Sequence, residues 1–122
     1  MRVLQTLGGV VIVLLTLSHS AFALIKWFGS GDGTGTNSQC KTTKYTVTIT
    51  QDAQNISGTM HISGAGDFYG SWKTQLGTDG SYKEDVVFTN GGIEATISGV
   101  IASDTATFKA VGLCTWSGPL RR

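Results

Sequence analysis

The chain has 122 residues, 40% of them hydrophobic, and a formal net charge of +1. One of the nine basic residues, Arg2, lies in an apolar N-terminal segment, so the rest of the chain balances its acidic and basic residues. A net charge near zero excludes a nucleic-acid footprint and a strong attraction to acidic membranes. About a hundred residues suffice for one domain with one modest core, and not for two.

The first 23 residues have the three-part layout of a secretory signal peptide. Arg2 provides a positive start, residues 3–17 are almost wholly apolar, and the tripeptide 21–23 (Ala-Phe-Ala) is a small-x-small cleavage site. The apolar run is shorter than the ~20 residues that a membrane-spanning helix needs. We predict an exported protein, periplasmic or secreted, whose mature chain begins at Leu24 and has no stable membrane anchor.

Residues 24–39 have two parts with different compositions. The first part is an apolar cluster that includes Trp27 and Phe28, and residues 29–39 are mainly Gly, Ser, Thr and Asn. An apolar terminus either folds back onto its own domain or docks on a partner, and the Gly/Ser/Thr-rich part is typical of a flexible linker. A single β-domain is therefore expected over residues 40–122.

From Thr42 onward, apolar and polar residues alternate with a period of two, which is typical of half-buried strands. Six apolar faces follow one another, and their first members are Tyr45, Ile56, Phe68, Tyr82, Ile93 and Phe108. The short turns between them contain Gly, Asn or Asp and make neighbouring strands antiparallel. The sequence predicts a small all-β antiparallel meander of six strands, with a seventh at the C-terminus as an alternative.

Glycine occupies four inward positions of these strands, where a side chain is normally expected. The four are Gly58, Gly70, Gly99 and Gly112. Glycine in a strand permits strong coiling and the close approach of a large neighbour, and Trp72 and Trp116 are available to fill the space. We predict a strongly coiled sheet that closes or nearly closes into a small barrel.

Cys40 and Cys114 are the only cysteines and lie near the two ends of the patterned region. Two cysteines alone lack the partners of a zinc site, and an exported chain meets an oxidising compartment. We therefore predict one disulfide bond, which ties the entry of the first predicted strand to the last strand.

The sequence contains no specific signature of catalysis, of a cofactor or of a metal site. Glu84 shares the inward parity of Tyr82 and Val86, so a weak hydrolase centred on this carboxylate is one alternative. His61 is the only histidine beyond the signal segment and has no evident catalytic partner along the chain. We predict a protein that is not an enzyme and uses no cofactor.

Candidate contact residues lie in the turns and on the polar faces. The turn 64–67, which ends at Asp67, and the neighbouring Tyr69 are expected at the surface, because loops on rigid sheets carry most recognition. Consecutive polar faces also carry one valine each: Val87, Val100 and Val111. These valines form an apolar contact stripe if they line up. We therefore favour a binding module of the envelope or extracellular space, with a protein or a small ligand as partner.

A small-molecule carrier is a different class of function that the same residues allow. In a carrier, Trp72 and Trp116 would line an internal cavity of roughly 300 Å³ or more. A packed interior would instead favour the binding module.

Two short motifs resemble the avidin and streptavidin family. Residues 70–77 (Gly-Ser-Trp-Lys-Thr-Gln-Leu-Gly) are similar to the Gly-Thr-Trp-x-x-Gln-Leu-Gly motif of that family's first strand, and 115–118 (Thr-Trp-Ser-Gly) resemble a later Thr-Trp-Ser-Gly. The family binds biotin inside an eight-stranded barrel. Here the first motif falls on the third predicted strand, and too little chain separates or follows the two motifs to build the rest of that barrel. We interpret the likeness as convergent use of Gly-x-Trp in curved strands and carry over no biotin binding.

Overall fold

A computed structural model describes residues 23–90 and 92–122. The signal-peptide prediction, except for Ala23, lies outside the described residues. The described chain forms eight antiparallel strands and one short 3-10 helix, Ser38–Thr42. The strands are β1 (Ile25–Thr34), β2 (Lys44–Asp52), β3 (Asn55–Ser63), β4 (Phe68–Gln75), β5 (Ser81–Val87), β6 (Glu94–Val100), β7 (Ala106–Val111) and β8 (Thr115–Leu120). No helix in this part of the chain is long and apolar enough to cross a membrane.

The predicted all-β antiparallel meander is confirmed, and it is rolled into a nearly closed barrel. The strand order in the sheet is β4-β3-β2-β1-β8-β7-β6-β5, so that β1 and β8 pair and β4 and β5 are the two edges. Backbone hydrogen bonds join these edges at their two ends, from Gly77 N to Ser81 O (2.8 Å) and from Thr89 N to Tyr69 O (2.9 Å). Between these bonds no ladder joins β4 to β5 in the described residues.

The structure corrects the predicted count of six strands to eight. A tight turn, in which Gly112 N donates to Cys114 O (2.9 Å), divides the last predicted strand into β7 and β8. Residues 25–34, which were assigned to an apolar terminus and a linker, form β1. The small residues are needed there because Gly31 lies against the ring of Tyr45 and Gly33 against Trp116. A Gly/Ser/Thr-rich composition is thus typical of a flexible linker and also of a strand whose inward residues pack against large side chains.

Aromatic and aliphatic side chains fill the interior of the barrel. The largest fully buried ones are Trp27, Tyr45, Phe88, Phe108, Ile49, Met60 and Ile97. The ring of Phe108 lies 5.7 Å from that of Tyr45 and 6.1 Å from that of Trp72, measured between centroids. The ring of Trp72 also occupies the space that a Cβ at Gly58 would need. This contact confirms the predicted role of an inward glycine beside a tryptophan.

The predicted disulfide bond between Cys40 and Cys114 is present, with the two Cα atoms 5.5 Å apart. Cys40 lies in the 3-10 helix between β1 and β2, and Cys114 directly precedes β8. The bond therefore joins two connections at one end of the barrel. Because β1 precedes it, the disulfide ties the β1–β2 connection, and not the chain's entry into the sheet, to the last strand.

Two buried tyrosines are expected to make the protein sensitive to alkali. Burial raises the pKa of Tyr45 and of Tyr82, and the Tyr82 hydroxyl donates a hydrogen bond to Thr107 O (2.7 Å). The unfolded chain releases these protons near pH ~10, whereas the folded chain still holds them. The free energy of unfolding should therefore be unaffected by these groups below pH ~9 and fall as the pH rises above ~10.

Urea unfolding at a series of pH values measures this fall. Tyr82→Phe should make it less steep, because one of the retained protons is gone. The same change at the exposed Tyr69 is the control and should leave the slope as it is. An equal slope in all three proteins would contradict the assignment to buried tyrosines.

Candidate functional site

The two tryptophans predicted to line a cavity are core residues. Trp72 is 6% exposed and Trp116 is 3% exposed, and Trp116 Nε1 donates to Thr43 Oγ1 (3.0 Å). Next to Trp116, at the disulfide end of the barrel, lies a small cavity of about 150 Å³ that Phe68 and Ile93 also line. This volume is half of the ~300 Å³ at which ligand pockets begin. The cavity beside Trp116 is therefore smaller than the carrier hypothesis requires.

The three valines do not form the apolar stripe that we considered. Val87 lies opposite Glu94, Val100 lies opposite Ser81, and Val111 lies opposite Thr96. The sheet register therefore places the valines at three different levels along the barrel, each beside a polar neighbour.

Glu84 is half-buried on β5 and has the apolar Ile97 as its cross-strand neighbour. The adjacent Asp85 points to the outer face, where it accepts a hydrogen bond from Thr96 Oγ1 (2.9 Å). Acid catalysis by paired carboxylates needs two groups that converge on one site, and these two diverge. Within residues 23–90 and 92–122, no group of three or more His, Cys, Asp or Glu residues is placed to hold a metal ion.

The β3–β4 hairpin brings together three side chains that we call the aromatic corner: His61, Asp67 and Tyr69. The rings of His61 and Tyr69 are stacked, with centroids 4.5 Å apart and planes 5° from parallel. His61 Nε2 lies 2.9 Å from Asp67 Oδ1, at hydrogen-bond distance. Tyr69 remains 54% exposed. The corner therefore presents a flat aromatic surface to solvent in a fixed orientation.

The aromatic corner is hydrogen-bonded to the β5–β6 connection, across the gap between the edge strands β4 and β5. Thr89 donates to Tyr69 O through its backbone N (2.9 Å) and its hydroxyl (3.2 Å), and Asn90 Nδ2 donates to Asp67 O (3.0 Å). The turn itself requires glycine, because Gly64 has a φ of 102°. Hydrogen bonds from the β5–β6 connection therefore hold the backbone of both Asp67 and Tyr69 in place.

Sequence reasoning placed Asp67 and Tyr69 at the surface but missed the role of His61. In the register of β3 and β4, His61 lies directly opposite Tyr69. The signal was present in the chain: a tight turn at 64–67 places residues 61 and 69 at the same level of a hairpin. The partner of His61 is thus found only when the strand pairing is considered.

Beside the aromatic corner, the outer surface of β2, β3 and β4 carries a regular set of hydroxyl groups, which we call the hydroxyl face. Its members are Thr46, Thr48, Thr50, Ser57, Thr59 and Ser71. We call a row of paired residues across β2, β3 and β4 a level. The six residues lie at three levels, whose members on β4 are Tyr69, Ser71 and Lys73. The first level contains Thr46, His61 and Tyr69. The aromatic corner and the hydroxyl face are therefore one continuous surface.

The hydroxyl groups of this face make no hydrogen bond to other protein groups within the described part of the chain. Threonine hydroxyls elsewhere do: Thr43 donates to Cys40 O (2.6 Å) and Thr96 donates to Asp85 Oδ1 (2.9 Å). Each hydroxyl offers one donor and two acceptor lone pairs. The hydrogen-bonding capacity of the hydroxyl face is therefore open to solvent or to a ligand.

Shallow troughs run between the levels of this surface. One of about 420 Å³ lies between the level of Tyr69 and that of Ser71, and one of about 380 Å³ lies between the levels of Ser71 and Lys73. Both open outward along the sheet. Their volumes fall within the ~300–1,000 Å³ range of ligand sites.

Charged groups are confined to the margins of this surface. At one end Lys44 Nζ lies 2.9 Å from Asp32 Oδ1, so that these two charges compensate each other. At the other end Lys26 and Lys73 occupy the level of Thr50. The centre of the surface, around Thr48 and Thr59, carries no formal charge.

A comparison of the chain with protein-family models, with curated proteins and with solved structures finds no match. The resemblance to avidin and streptavidin stays limited to two segments. The chain does form an eight-stranded sheet that is rolled into a nearly closed barrel. However, the first motif begins on β4 and not on the first strand, and both tryptophans belong to a packed core.

Proposed function

We propose that this protein is a non-enzymatic, exported binding module that contacts its partner through the aromatic corner and the hydroxyl face. The observation that carries this proposal is the exposed Tyr69 ring beside hydroxyl groups with open hydrogen-bonding capacity. The ring is stacked on His61, whose Nε2 lies at hydrogen-bond distance from Asp67. A pre-organised aromatic ring next to polar groups contributes to binding with little loss of conformational entropy. Export rests on the signal-peptide layout, and a disulfide bond is compatible with it.

The other two functions have less support. A carrier needs an internal cavity, whereas Trp72 and Trp116 are part of a filled core. A hydrolase needs a second group beside Glu84, and its neighbour Asp85 faces the opposite side of the sheet. Neither function uses the surface on which the exposed aromatic ring and the open hydroxyl groups meet.

Loss of the aromatic corner should weaken binding without unfolding the barrel. We expect Tyr69→Ala to reduce co-sedimentation of the purified protein with the washed, insoluble envelope fraction of the producing cells. Truncation of an exposed aromatic anchor typically costs about 1–2 kcal/mol or more, which is about tenfold in affinity. His61→Ala should also weaken binding, because it removes the ring on which Tyr69 stacks. Its effect should be smaller, because the Tyr69 ring itself is retained.

Val111→Ala is the matched control, because Val111 is 43% exposed on β7, which does not pair with β2, β3 or β4. Its co-sedimentation should equal that of the unchanged protein. Unfolding midpoints of all variants establish that the fold is retained. If Tyr69→Ala, His61→Ala and Val111→Ala all bind like the unchanged protein, the aromatic corner is not the contact surface.

A further inference from the structure

We infer that the ligand of this surface is a neutral carbohydrate chain that lies across the aromatic corner and the hydroxyl face. The inference rests on the proposed binding function and adds the chemical class of the ligand. A sugar ring has an apolar C–H face and a rim of hydroxyl groups. It therefore needs a flat apolar surface and, next to it, groups that both donate and accept hydrogen bonds.

The hydroxyl face supplies donors and acceptors at regular spacings. Residues at successive levels of one strand are about 6.6–6.8 Å apart, and neighbouring strands are about 4.8 Å apart. Thr48 and Thr59 lie opposite each other at the middle level, with Ser71 next to them on β4. A ligand with hydroxyl groups all along its length can bond to several of them at once.

The aromatic corner supplies the apolar surface. Aromatic ring faces carry partial negative charge, so they attract the slightly positive C–H groups of a sugar ring. Tyr69 is exposed and its ring plane is set by His61. On the other side of the hydroxyl face, Phe28 of β1 lies opposite Thr48 and is 44% exposed. Exposed aromatic rings therefore flank the hydroxyl groups on two sides.

Composition and charge distinguish a carbohydrate from other ligands. Protein interfaces are depleted in Ser and enriched in Met, Arg and aromatic residues, whereas this surface consists mainly of Thr and Ser. Nucleic acids need clustered Lys and Arg to replace counterions, but the centre of the surface is uncharged. Lys44 is paired with Asp32. The other charged groups lie at the margins, with Asp67 beside His61 at one end and Lys26 and Lys73 at the other. The surface therefore complements a neutral, hydroxyl-rich ligand.

The shape of the surface favours binding along the length of a carbohydrate chain and not at the end of that chain. The two troughs share the middle level of Thr48, Thr59 and Ser71, and they open outward. No wall of the described residues closes over them, so a polymer can enter and leave the surface on either side. A chain of several sugar units is thus a better match than a single sugar.

The test uses the full-length mature protein and a panel of neutral polysaccharides: cellulose, chitin, starch and yeast mannan. Alginate represents acidic polysaccharides. We expect retention on at least one neutral member. Thr48→Val with Thr59→Val removes two hydroxyl groups at nearly constant shape and should weaken this binding about tenfold or more. The double variant Thr105→Val with Thr115→Val makes the same chemical change away from the surface and should bind normally.

The outcomes separate the ligand class from the proposed binding function. Binding to a neutral polysaccharide that is lost in the hydroxyl-face variant and kept in its control supports the inference. Binding to alginate alone, lost in Lys73→Gln, overturns the neutral class. Envelope binding that needs Tyr69 but survives enzymatic removal of the envelope glycans also overturns it, while the binding function stands. If the hydroxyl-face variant and Tyr69→Ala bind the envelope fraction normally, the binding function fails together with the ligand class.

Discussion

Replacement of Cys40 and Cys114 by alanine in one double variant is expected to lower the free energy of unfolding by about 4 kcal/mol. The bond spans 74 residues, so its loss restores a large amount of conformational freedom to the unfolded chain. Cys40 is also fully buried, and a smaller side chain there leaves a gap in the packing. For a domain of this size such a loss is a large fraction of total stability.

Urea unfolding of the oxidised protein and of the double variant measures this difference. Adding a reducing agent should bring the unchanged protein close to the double variant, and the double variant itself should not respond to the reductant. An unchanged protein that is equally stable with and without reductant would contradict the assigned role of the disulfide bond. Folding should still lead to a barrel, because the strand pattern does not depend on the cysteines.

Gly99→Ala is expected to destabilise the barrel by about 2–5 kcal/mol. A Cβ at this position would overlap the backbone oxygen of Thr107 and the hydroxyl oxygen of Tyr82. The methyl group therefore pushes β6 away from β7 and also breaks the buried hydrogen bond from Tyr82 to Thr107 O. Both effects add to the cost, because the backbone oxygen cannot move aside as a flexible side chain can.

Gly77→Ala makes the same change in an exposed turn and is the matched control. A Cβ at Gly77 would lie 3.1 Å from Oδ1 of Asp79, an exposed side chain that accepts hydrogen bonds from Ser81 and needs to shift by only a few tenths of an ångström. Its effect on the unfolding free energy should stay within about 1 kcal/mol. Thermal or urea unfolding compares the two variants. Equal stability of Gly99→Ala and Gly77→Ala would show that β6 and β7 are not as close as described.

The period-two pattern predicted most of the sheet because inward and outward positions must alternate in every strand. The inward residues Tyr45, Ile56, Tyr82 and Phe108 are buried as expected, whereas Phe68 and Ile93 are only partly buried. The cysteine pair was also predictable, because few partners exist for two cysteines in a small chain. These features depend on local chemistry and on simple counting, which a sequence contains directly.

The first strand was missed for a physical reason. Gly29, Gly31 and Gly33 resemble a linker in composition, yet they are inward positions of β1. They must be small because Leu120, Tyr45 and Trp116 occupy the space above them. Those neighbours come from β2 and β8, so the need for glycine becomes apparent only when distant strands are brought together.

The candidate site shows the same division. Tyr69 and Asp67 were predicted as surface residues because a turn and a polar strand position are local properties. The stacking of Tyr69 on His61 and the alignment of Thr48 with Thr59 depend on strand register, which the turn lengths set. The exclusion of Val87 from a stripe depends on the register as well.

The sequence by itself thus determined the all-β class, the disulfide pair, the inward faces and the exposure of Tyr69. The tertiary structure decided that the sheet has eight strands, that β1 and β8 pair so that the barrel nearly closes, and that the tryptophans fill the core. It also decided which polar residues share one surface. The reason is that alternation is a property of each strand alone, whereas closure, register and a shared surface depend on contacts between residues far apart in the chain.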